Sequence, residues 1–214
     1  GIDFAENMIK IAKQKFKKKN LKFLAENFFK IKTNKKFECI SANGFIEYLS
    51  ILDIKKFLDR SKVFLKKNGL IIFGSRNKLF NLYSLNKFSE EELKQRTFRK
   101  FYEESILLNS CNFKKFIKIK KNTFEVKNFK QPKTGIEVDI RHQFSPLQIF
   151  DLLKKKGLKI IDLHPINYHP VPPSKLSSEN HKLFSNSIYL SNEKNKLPYL
   201  PFSSSFMVTA RKMK

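Results

Sequence analysis

The sequence contains no tryptophan, two cysteines and six glycines in 214 residues. The two cysteines, Cys39 and Cys111, are too few for a disulfide scaffold or a structural zinc site. Cys39 lies in an apolar run, which predicts a small buried core residue. No run of about 18 apolar residues occurs, so the sequence predicts no membrane span. No signal peptide is visible either, and these features favour a cytoplasmic protein without a bound metal.

Arginine is also scarce, although the formal net charge is +25. Only six of the 44 basic residues are arginines, and the rest are lysines. Codons rich in A and T produce an excess of Lys, Asn, Ile and Phe. Proteins that read phosphates and bases rely on the bidentate guanidinium of arginine. Composition therefore favours a codon effect as the source of the charge and leaves nucleic acid open as an alternative partner.

Short apolar runs alternate with helical patterns over residues 1–75. Apolar residues at helical spacing from Ala5 to Phe16 predict a first helix, with its lysines facing water. A second helix is predicted on the face from Leu52 to Leu65, with Lys66 and Lys67 in its last turn and Gly69 as its stop. Three strands are predicted around these helices, over residues 21–24, 37–42 and 69–74. This alternation predicts a parallel sheet with helices on both sides.

Residues 76–142 interrupt the alternation and are expected to form an insertion that caps the ligand edge of the sheet. A helix is predicted over residues 89–109, with Ser89 as its N-cap and Glu92 as the capping-box partner. Residues 113–129 alternate apolar residues with lysine, which predicts solvent-edged β-structure.

The alternation returns near the carboxyl terminus. Ser145 as N-cap and Gly157 as stop predict a helix between them. Strands are predicted over residues 158–166 and 204–212, with a proline-rich loop over residues 167–175 after the first of them.

Four segments of the sequence stand in a characteristic order: GIDFAENMIKIA from residue 1, FLAENFF over 23–29, FECISANGFIEYL over 37–49 and VFLKKNGLIIFGSRN over 63–77. Together they resemble the class I S-adenosylmethionine-dependent methyltransferases of the broad small-molecule group, similar to methyltransferase types 11 and 25. Each segment is weak alone, but their order and spacing make the resemblance specific. The sequence departs from the family at Asn27, Glu38, Lys67 and Asn68, where the family has an acid, Asp, Pro and Gly.

The resemblance implies an α/β fold, a Rossmann-like doubly wound sheet of order 3-2-1-4-5-7-6 with strand 7 antiparallel. Residue 1 then falls at the end of strand 2. We therefore expect strand 1, its glycine-rich loop and the following helix to precede this chain in a longer protein, and we expect the fragment alone to be inactive. The expected division is a partial cofactor-binding core over 1–75, the cap over 76–142 and the rest of the core over 143–214.

The resemblance also implies S-adenosyl-L-methionine as cofactor and gives roles to residues. Asp3 would bind the ribose hydroxyls, and Phe4 would cover the adenine. Asn27 or Glu26 would receive the adenine amino group, with Phe28 packed on the ring. Alternatively, Asp3 only caps the helix and Asn27 is only a turn residue.

The loop after the third predicted strand is expected to approach the methionine part of the cofactor. Asn43 and Gly44 are the candidates there, and a glycine allows backbone to pass close to a ligand.

The methyl acceptor is less well defined by the sequence. His142 and His169 are weak candidates for a base, because a histidine near neutrality can deprotonate a hydroxyl or an amine. The alternative is that they are exposed or structurally hydrogen-bonded histidines. Further polar residues near predicted strand ends are Arg76, Asn77, His164 and Tyr168.

The function expected from the sequence is methyl transfer to a small-molecule or sugar-like metabolite. Three alternatives stay open. One is an RNA methyltransferase that uses the lysines and residues 113–133. Another is a non-catalytic α/β binding module. A nicotinamide enzyme shares an acid such as Asp3, but the later segments do not suggest it. The sequence leaves the oligomeric state open.

Overall fold

The structure, a computed structural model, describes residues 1–119, 141–175 and 195–213. It divides into two compact units, one formed by residues 1–36 and the other beginning at residue 37. Within the described ranges, no helix is both long enough and apolar enough to cross a membrane.

The first unit is a small parallel β-α-β arrangement. It consists of strand β1 (Ile2–Asp3), helix α1 (Glu6–Lys15) and strand β2 (Leu24–Ala25). The register pairs Ile2 with Leu24 and Asp3 with Ala25. The first predicted helix is confirmed. The strand predicted over 21–24 is confirmed only at its end, because the Leu21 amide donates to the carbonyl of Lys18 in a turn.

The second unit is built on a four-stranded sheet of order β3-β4-β6-β5. Strands β3 and β4 are parallel, and β6 runs antiparallel to both β4 and β5. The strands are β3 (Phe37–Ala42), β4 (Leu65–Arg76), β5 (Leu158–Tyr168) and β6 (Ser203–Lys212). The helices are α2 (Ile51–Phe64), α3 (Asn81–Ser84), α4 (Lys87–Lys94), α5 (Phe98–Ser110), α6 (Phe113–Phe116) and α7 (Pro146–Lys155).

This topology confirms the predicted fold class. The order β3-β4-β6-β5, with β6 antiparallel, is the 4-5-7-6 part of the predicted sheet. The parallel pair β1 and β2 corresponds to strands 2 and 3. Among the described residues, β1 pairs only with β2 and β3 pairs only with β4.

The core of the second unit lies on β4 and β6 and under the helices that cover them. Its fully buried large side chains include Phe57 and Leu58 on α2, Phe73 on β4, Phe150 on α7 and Phe206 on β6. The prediction for Cys39 is wrong, because the cysteine is exposed. It lies on β3, the edge strand of this sheet, none of whose six residues is buried.

The predicted end of helix α2 is wrong by one turn. The helix stops at Phe64, and Lys66 and Lys67 already belong to β4. Asn68, with φ at 62°, adopts the left-handed conformation that was expected of Gly69. Leu52 is 62% exposed and does not lie on the buried face.

The single helix predicted over residues 89–109 is two helices, α4 and α5. Arg96 has a φ of 55° and breaks the helical backbone between them. Asn86 is the N-cap of α4, and Ser89 is its capping-box partner rather than the cap. Glu92 is instead buried in the helix and accepts from the amide group of Asn81 at 2.8 Å.

The β-structure predicted over residues 113–129 is wrong where the structure describes it. Residues 113–116 form α6, and the Asn112 side chain caps this turn by accepting from the amide of Lys115. Residues 120–129 lie outside the described residues.

The last helix and strands are as predicted. Ser145 caps α7 and forms a capping box with Gln148, and Pro146 stands at the first helical position. Gly157, with φ at 67°, allows the chain to turn into β5. Both carboxyl-terminal strands are confirmed, although β5 extends to Tyr168, into the predicted proline-rich loop.

Candidate cofactor and acceptor sites

Asp3 ends β1 and also begins the turn into α1. Its Oδ1 accepts a hydrogen bond from the amide of Ala5 at 2.8 Å, immediately before the first residue of the helix. Among the described residues, Oδ2 has no hydrogen-bond partner. The carboxylate therefore stabilises the start of the helix with one oxygen and presents the other to solvent. Phe4 beside it is 80% exposed.

The other candidate polar side chains of the first unit, Glu26 and Asn27, directly follow β2. Since Asp3 pairs with Ala25 in a parallel ladder, Glu26 and Asn27 lie at the same edge of this sheet as Asp3. The Glu26 amide donates to the carbonyl of Asp3 at 2.9 Å. Asn27 Oδ1 accepts from the amide of Phe29 at 2.8 Å, so Asn27 forms a local turn. A carbonyl oxygen has a second lone pair, which remains for a ligand donor.

Phe28, which follows Asn27, packs against a second aromatic ring. Its ring meets the ring of Phe29 edge to face, with centroids 5.6 Å apart. Phe28 is half-buried.

In the second unit, the end of β3 is shaped by two glycines. Gly44 has a φ of 61°, a conformation that a side chain disfavours, and a Cβ built on it meets nothing within 4 Å. A Cβ on Gly74 of β4 would stand 2.6 Å from Oδ1 of Asn43. The absence of a side chain at Gly74 therefore makes the space that the Asn43 carboxamide occupies. Asn43 and Gly44 are both exposed.

Beyond Gly44, a short 3₁₀ turn (Ile46–Tyr48) brings a carboxylate against the end of β4. Glu47 Oε1 lies 3.5 Å from Nε of Arg76, and the Glu47 side chain is 11% exposed. Tyr48 is 46% exposed. Burial, and next the charge and hydrogen bond of Glu47, raise the pKa of the Tyr48 hydroxyl. The phenol therefore stays protonated at neutral pH.

His142 is buried under this cluster. The imidazole is 1% exposed, and its backbone amide donates to the carbonyl of Glu47 at 2.7 Å. Nε2 is buried without a hydrogen-bond partner among the described residues. Burial, with a smaller effect of the Lys78 ammonium, lowers the pKa of His142 from its ordinary value of 6.5. The ring is therefore neutral at physiological pH.

The candidate Asn77 is part of the fold. Its amide nitrogen donates to the carbonyls of Leu200 at 2.6 Å and Ser203 at 2.8 Å, and its Oδ1 accepts from the amide of Leu79 at 3.0 Å. Its amide nitrogen therefore joins the end of β4 to the start of β6 and the turn before it, and its Oδ1 caps the short turn that follows β4.

The candidates on β5 reach the same edge of the sheet as Arg76. Arg76 and Ile166 both lie opposite Ser205 of β6, so the two strands are level there. The Tyr168 ring packs edge to face on Tyr199, 6.0 Å away. His169 follows, and its ring packs on Phe80 at 4.7 Å.

The third histidine candidate lies earlier on β5. Nδ1 of His164 is 3.3 Å from Nζ of Lys196. Burial lowers the pKa of both His164 and His169, and in His164 the ammonium of Lys196 adds to this. No group of His, Cys, Asp and Glu side chains within the described ranges is arranged to hold a metal ion.

Sequence reasoning missed Glu47 and Tyr48. Both follow Asn43 and Gly44 within one turn of chain, and a charged residue there interrupts the apolar run GFI. That break in the apolar run was the signal from which a polar site at Glu47 and Tyr48 could have been predicted. The pairing of Glu47 with Arg76 depends on two strands that are adjacent in space and far apart in sequence.

Comparison with known proteins agrees with these observations. Residues 1–73 match the family described as Methyltransferase domain. No curated protein matches the chain.

Solved methyltransferase structures share the fold. One is a putative S-adenosylmethionine-dependent methyltransferase from Listeria monocytogenes, at 12% identity and a TM-score of 0.57, covering 100% of this chain and 79% of that one. Another is an S-adenosylmethionine-dependent methyltransferase from Mesorhizobium loti, at 10% identity and a TM-score of 0.53, covering 99% and 79%. A third, from Clostridium acetobutylicum, has 16% identity and a TM-score of 0.52, covering 100% and 74%. This chain therefore shares the fold of the class I S-adenosylmethionine-dependent methyltransferases, and its residues 1–73 match the methyltransferase domain family.

Proposed function

We propose that this protein binds S-adenosyl-L-methionine and transfers its methyl group to a small-molecule or sugar-like acceptor. The observation that carries the proposal is Asp3, which ends a parallel strand with one carboxylate oxygen on the helix and the other without a partner among the described residues. A carboxylate so placed can accept from both hydroxyls of a ribose, and charge-assisted hydrogen bonds are the stronger ones.

The residues present fit this cofactor. In the first unit, Asp3 is proposed to bind the ribose, Glu26 or Asn27 to accept from the adenine amino group, and Phe4 and Phe28 to cover the ring. Phe4 is free to do so, because its side chain is largely exposed. In the second unit, Asn43 and Gly44 are proposed to bind the methionine part.

The bound cofactor supplies an electrophilic methyl group on a sulfonium. The residues of the chain orient the acceptor and exclude water, and transfer depends mainly on in-line proximity. We propose that Tyr48 and Arg76 contact the acceptor. The Tyr48 hydroxyl remains protonated, and Glu47 orients it. His142 is too deeply buried to reach an acceptor in this conformation, and it is proposed to support the Glu47 backbone.

Two other functions remain as alternatives to this proposal. An RNA methyltransferase would use the lysine-rich surface, and a non-catalytic module would bind a ligand without transfer. The expected cap over 76–142 and a cytoplasmic location also stay predictions.

The test separates the cofactor role of Asp3 from its structural role. Asp3→Asn keeps an oxygen for the Ala5 amide and removes the charge, whereas Asp3→Ala removes both. Loss of one charge-assisted hydrogen bond is worth about 1.5–3 kcal/mol. Both variants of the full-length protein are therefore expected to bind S-adenosylmethionine at least about tenfold more weakly in titration calorimetry.

Thermal melting provides the control for this series. Asp3→Asn is expected to melt like the wild type, and Asp3→Ala slightly lower. Unchanged affinity in Asp3→Asn would show that Asp3 only begins the helix, and the proposed cofactor contact would be wrong.

A further inference from the structure

Positive charge is concentrated on one part of the first unit. Between Glu6 and Glu26 the sequence has seven lysines and no acidic residue. Four of them, Lys13, Lys17, Lys18 and Lys22, surround one cleft. Their side chains are exposed.

This basic cleft also has aromatic walls. It has a volume of about 420 Å³ and lies between the end of α1 and the start of β2. Phe16 and Phe23 line it, with ring centroids 6.4 Å apart and planes inclined by 40°. Phe16 is 55% exposed. Two leucines complete the walls, and no acidic side chain takes part.

The four ammonium groups have no carboxylate partner among the described residues. Some lysines of the second unit are neutralised in pairs, as Lys66 is with Glu38 at 2.9 Å. What distinguishes the four lysines of the cleft is that they surround two aromatic rings. An unneutralised cluster around an apolar cleft favours a ligand that combines negative charge with a flat apolar surface.

We infer that the basic cleft binds single-stranded nucleic acid. Bases stack on exposed aromatic rings, and lysines beside the rings neutralise the phosphates. A codon effect raises lysine along the whole chain, but it does not place two phenyl rings between four unpaired ammonium groups. The inference does not rest on methyl transfer, because none of the residues that line the cleft is among those proposed to bind the cofactor.

Two other anionic partners fit the cleft less well. A duplex keeps its bases stacked on one another and offers no free face to Phe16. An anionic lipid surface presents charged headgroups but no planar rings that could stack on Phe16 and Phe23. Both partners are outcomes of the test.

The test measures binding of a fluorescein-labelled oligouridylate about 12 nucleotides long to the full-length protein. Two triple variants are compared, each of which removes three charges from exposed lysines of the first unit. One acts in the cleft (Lys17→Gln, Lys18→Gln, Lys22→Gln), and its matched control acts outside it (Lys30→Gln, Lys32→Gln, Lys35→Gln). A third variant, Phe16→Leu, keeps the apolar contact and removes the aromatic face.

The cleft triple variant is expected to bind at least about tenfold more weakly than the control triple variant, and its salt dependence should become less steep. Each phosphate neutralised by the wild type contributes about −0.7 to the slope of log K against log salt, so the slope should change by roughly 2. Phe16→Leu should weaken binding about tenfold, in line with the loss of one stacked base. Thermal melting of all three variants should match the wild type, since these side chains are exposed.

Three results would overturn the inference. Equal losses of affinity in the two triple variants would mean that the lysines attract the oligonucleotide through overall charge and do not form a binding site. Wild-type affinity in Phe16→Leu would exclude base stacking. Competition by duplex RNA, or by vesicles of phosphatidylserine and phosphatidylcholine, as effective as competition by unlabelled oligouridylate would assign the cleft to a different partner.

Discussion

Gly74 and Gly69 lie on the same strand, β4, but we expect a methyl group added at each to act differently. At Gly74 it should leave stability nearly unchanged, and at Gly69 it should lower the free energy of unfolding. A Cβ on Gly74 would meet Oδ1 of Asn43 at 2.6 Å. Asn43 is exposed, so its carboxamide can rotate away at a cost of about 0.5–1.5 kcal/mol. Replacing a glycine inside a strand by alanine stabilises the folded state by about 0.5–1 kcal/mol. The free energy of unfolding of Gly74→Ala should therefore stay within about 1 kcal/mol of the wild type.

Gly69→Ala is the matched variant, because its neighbours cannot rotate away. The added Cβ would meet the carbonyl oxygen of Lys66 at 3.0 Å, the carbonyl oxygen of Glu38 at 3.2 Å and a methyl group of Leu65 at 3.1 Å. Two of these atoms are backbone, so a strand must shift, at a cost of about 1–3 kcal/mol. The melting temperature should fall by about 2–4 °C for each kcal/mol.

The effects on cofactor affinity should be the reverse of those on stability, with the larger loss in Gly74→Ala. Gly74→Ala displaces the Asn43 side chain and should weaken S-adenosylmethionine binding about 2- to 10-fold, as Asn43→Ala should, since one hydrogen bond contributes about 0.5–1.5 kcal/mol. Gly69→Ala should bind nearly as tightly as the wild type once folded. Calorimetry and thermal melting on the three variants check this. The reasoning would be refuted if Gly74→Ala melted far below Gly69→Ala, or if Asn43→Ala lost affinity while Gly74→Ala kept it.

Two further predictions concern buried polar groups of the second unit. Asn77→Ala removes the partner of the Ser203 carbonyl and of the Leu79 amide, whereas the Leu200 carbonyl keeps the Ser203 amide as its donor. At about 1–3 kcal/mol for each of the two groups left unsatisfied, urea unfolding should show a loss of at least about 2 kcal/mol, and a smaller loss would show that water replaces the side chain. Burial lowers the pKa of His142 from 6.5, so the unfolded chain takes up the proton first as pH falls, and stability is lost from about pH 6.5 downward. His142→Phe should make urea midpoints between about pH 7 and pH 5.5 fall less steeply than in the wild type, and an unchanged slope would assign the dependence to other groups.

The sequence predicted elements with a clear local signal. Residues 145–157 have helical periodicity and caps at both ends, so this helix was predicted close to its observed bounds. The mostly apolar run over residues 37–42 was enough to predict β3, although none of its residues is buried. The break between α4 and α5 could not be seen, because the non-glycine residue Arg96 adopts a positive φ there. The end of α2 was misplaced for a related reason. Asn68 supplies the left-handed residue, and the apolar pattern does not distinguish it from Gly69.

Site residues were harder to predict than elements. Asp3, Asn43 and Gly44 were predicted because each ends or follows a predicted strand, and their roles at the cofactor stay predictions. Glu47 and Tyr48 were missed, because their importance depends on the contact with Arg76 at the end of β4. Asn77 was proposed for its position at a strand end, although its amide joins the turn before β6 to β4. Position along the chain identifies an edge of the sheet, whereas the hydrogen-bond partners decide what a side chain does there.

Titration of S-adenosylmethionine into the full-length protein, with NAD⁺ titrated separately as a control, tests whether this fold binds the proposed cofactor. We expect saturable binding of one S-adenosylmethionine per chain, competition by S-adenosylhomocysteine, weaker binding in Asp3→Asn, and no binding of NAD⁺. Absence of binding to S-adenosylmethionine, or binding of NAD⁺ that depends on Asp3, would contradict this expectation.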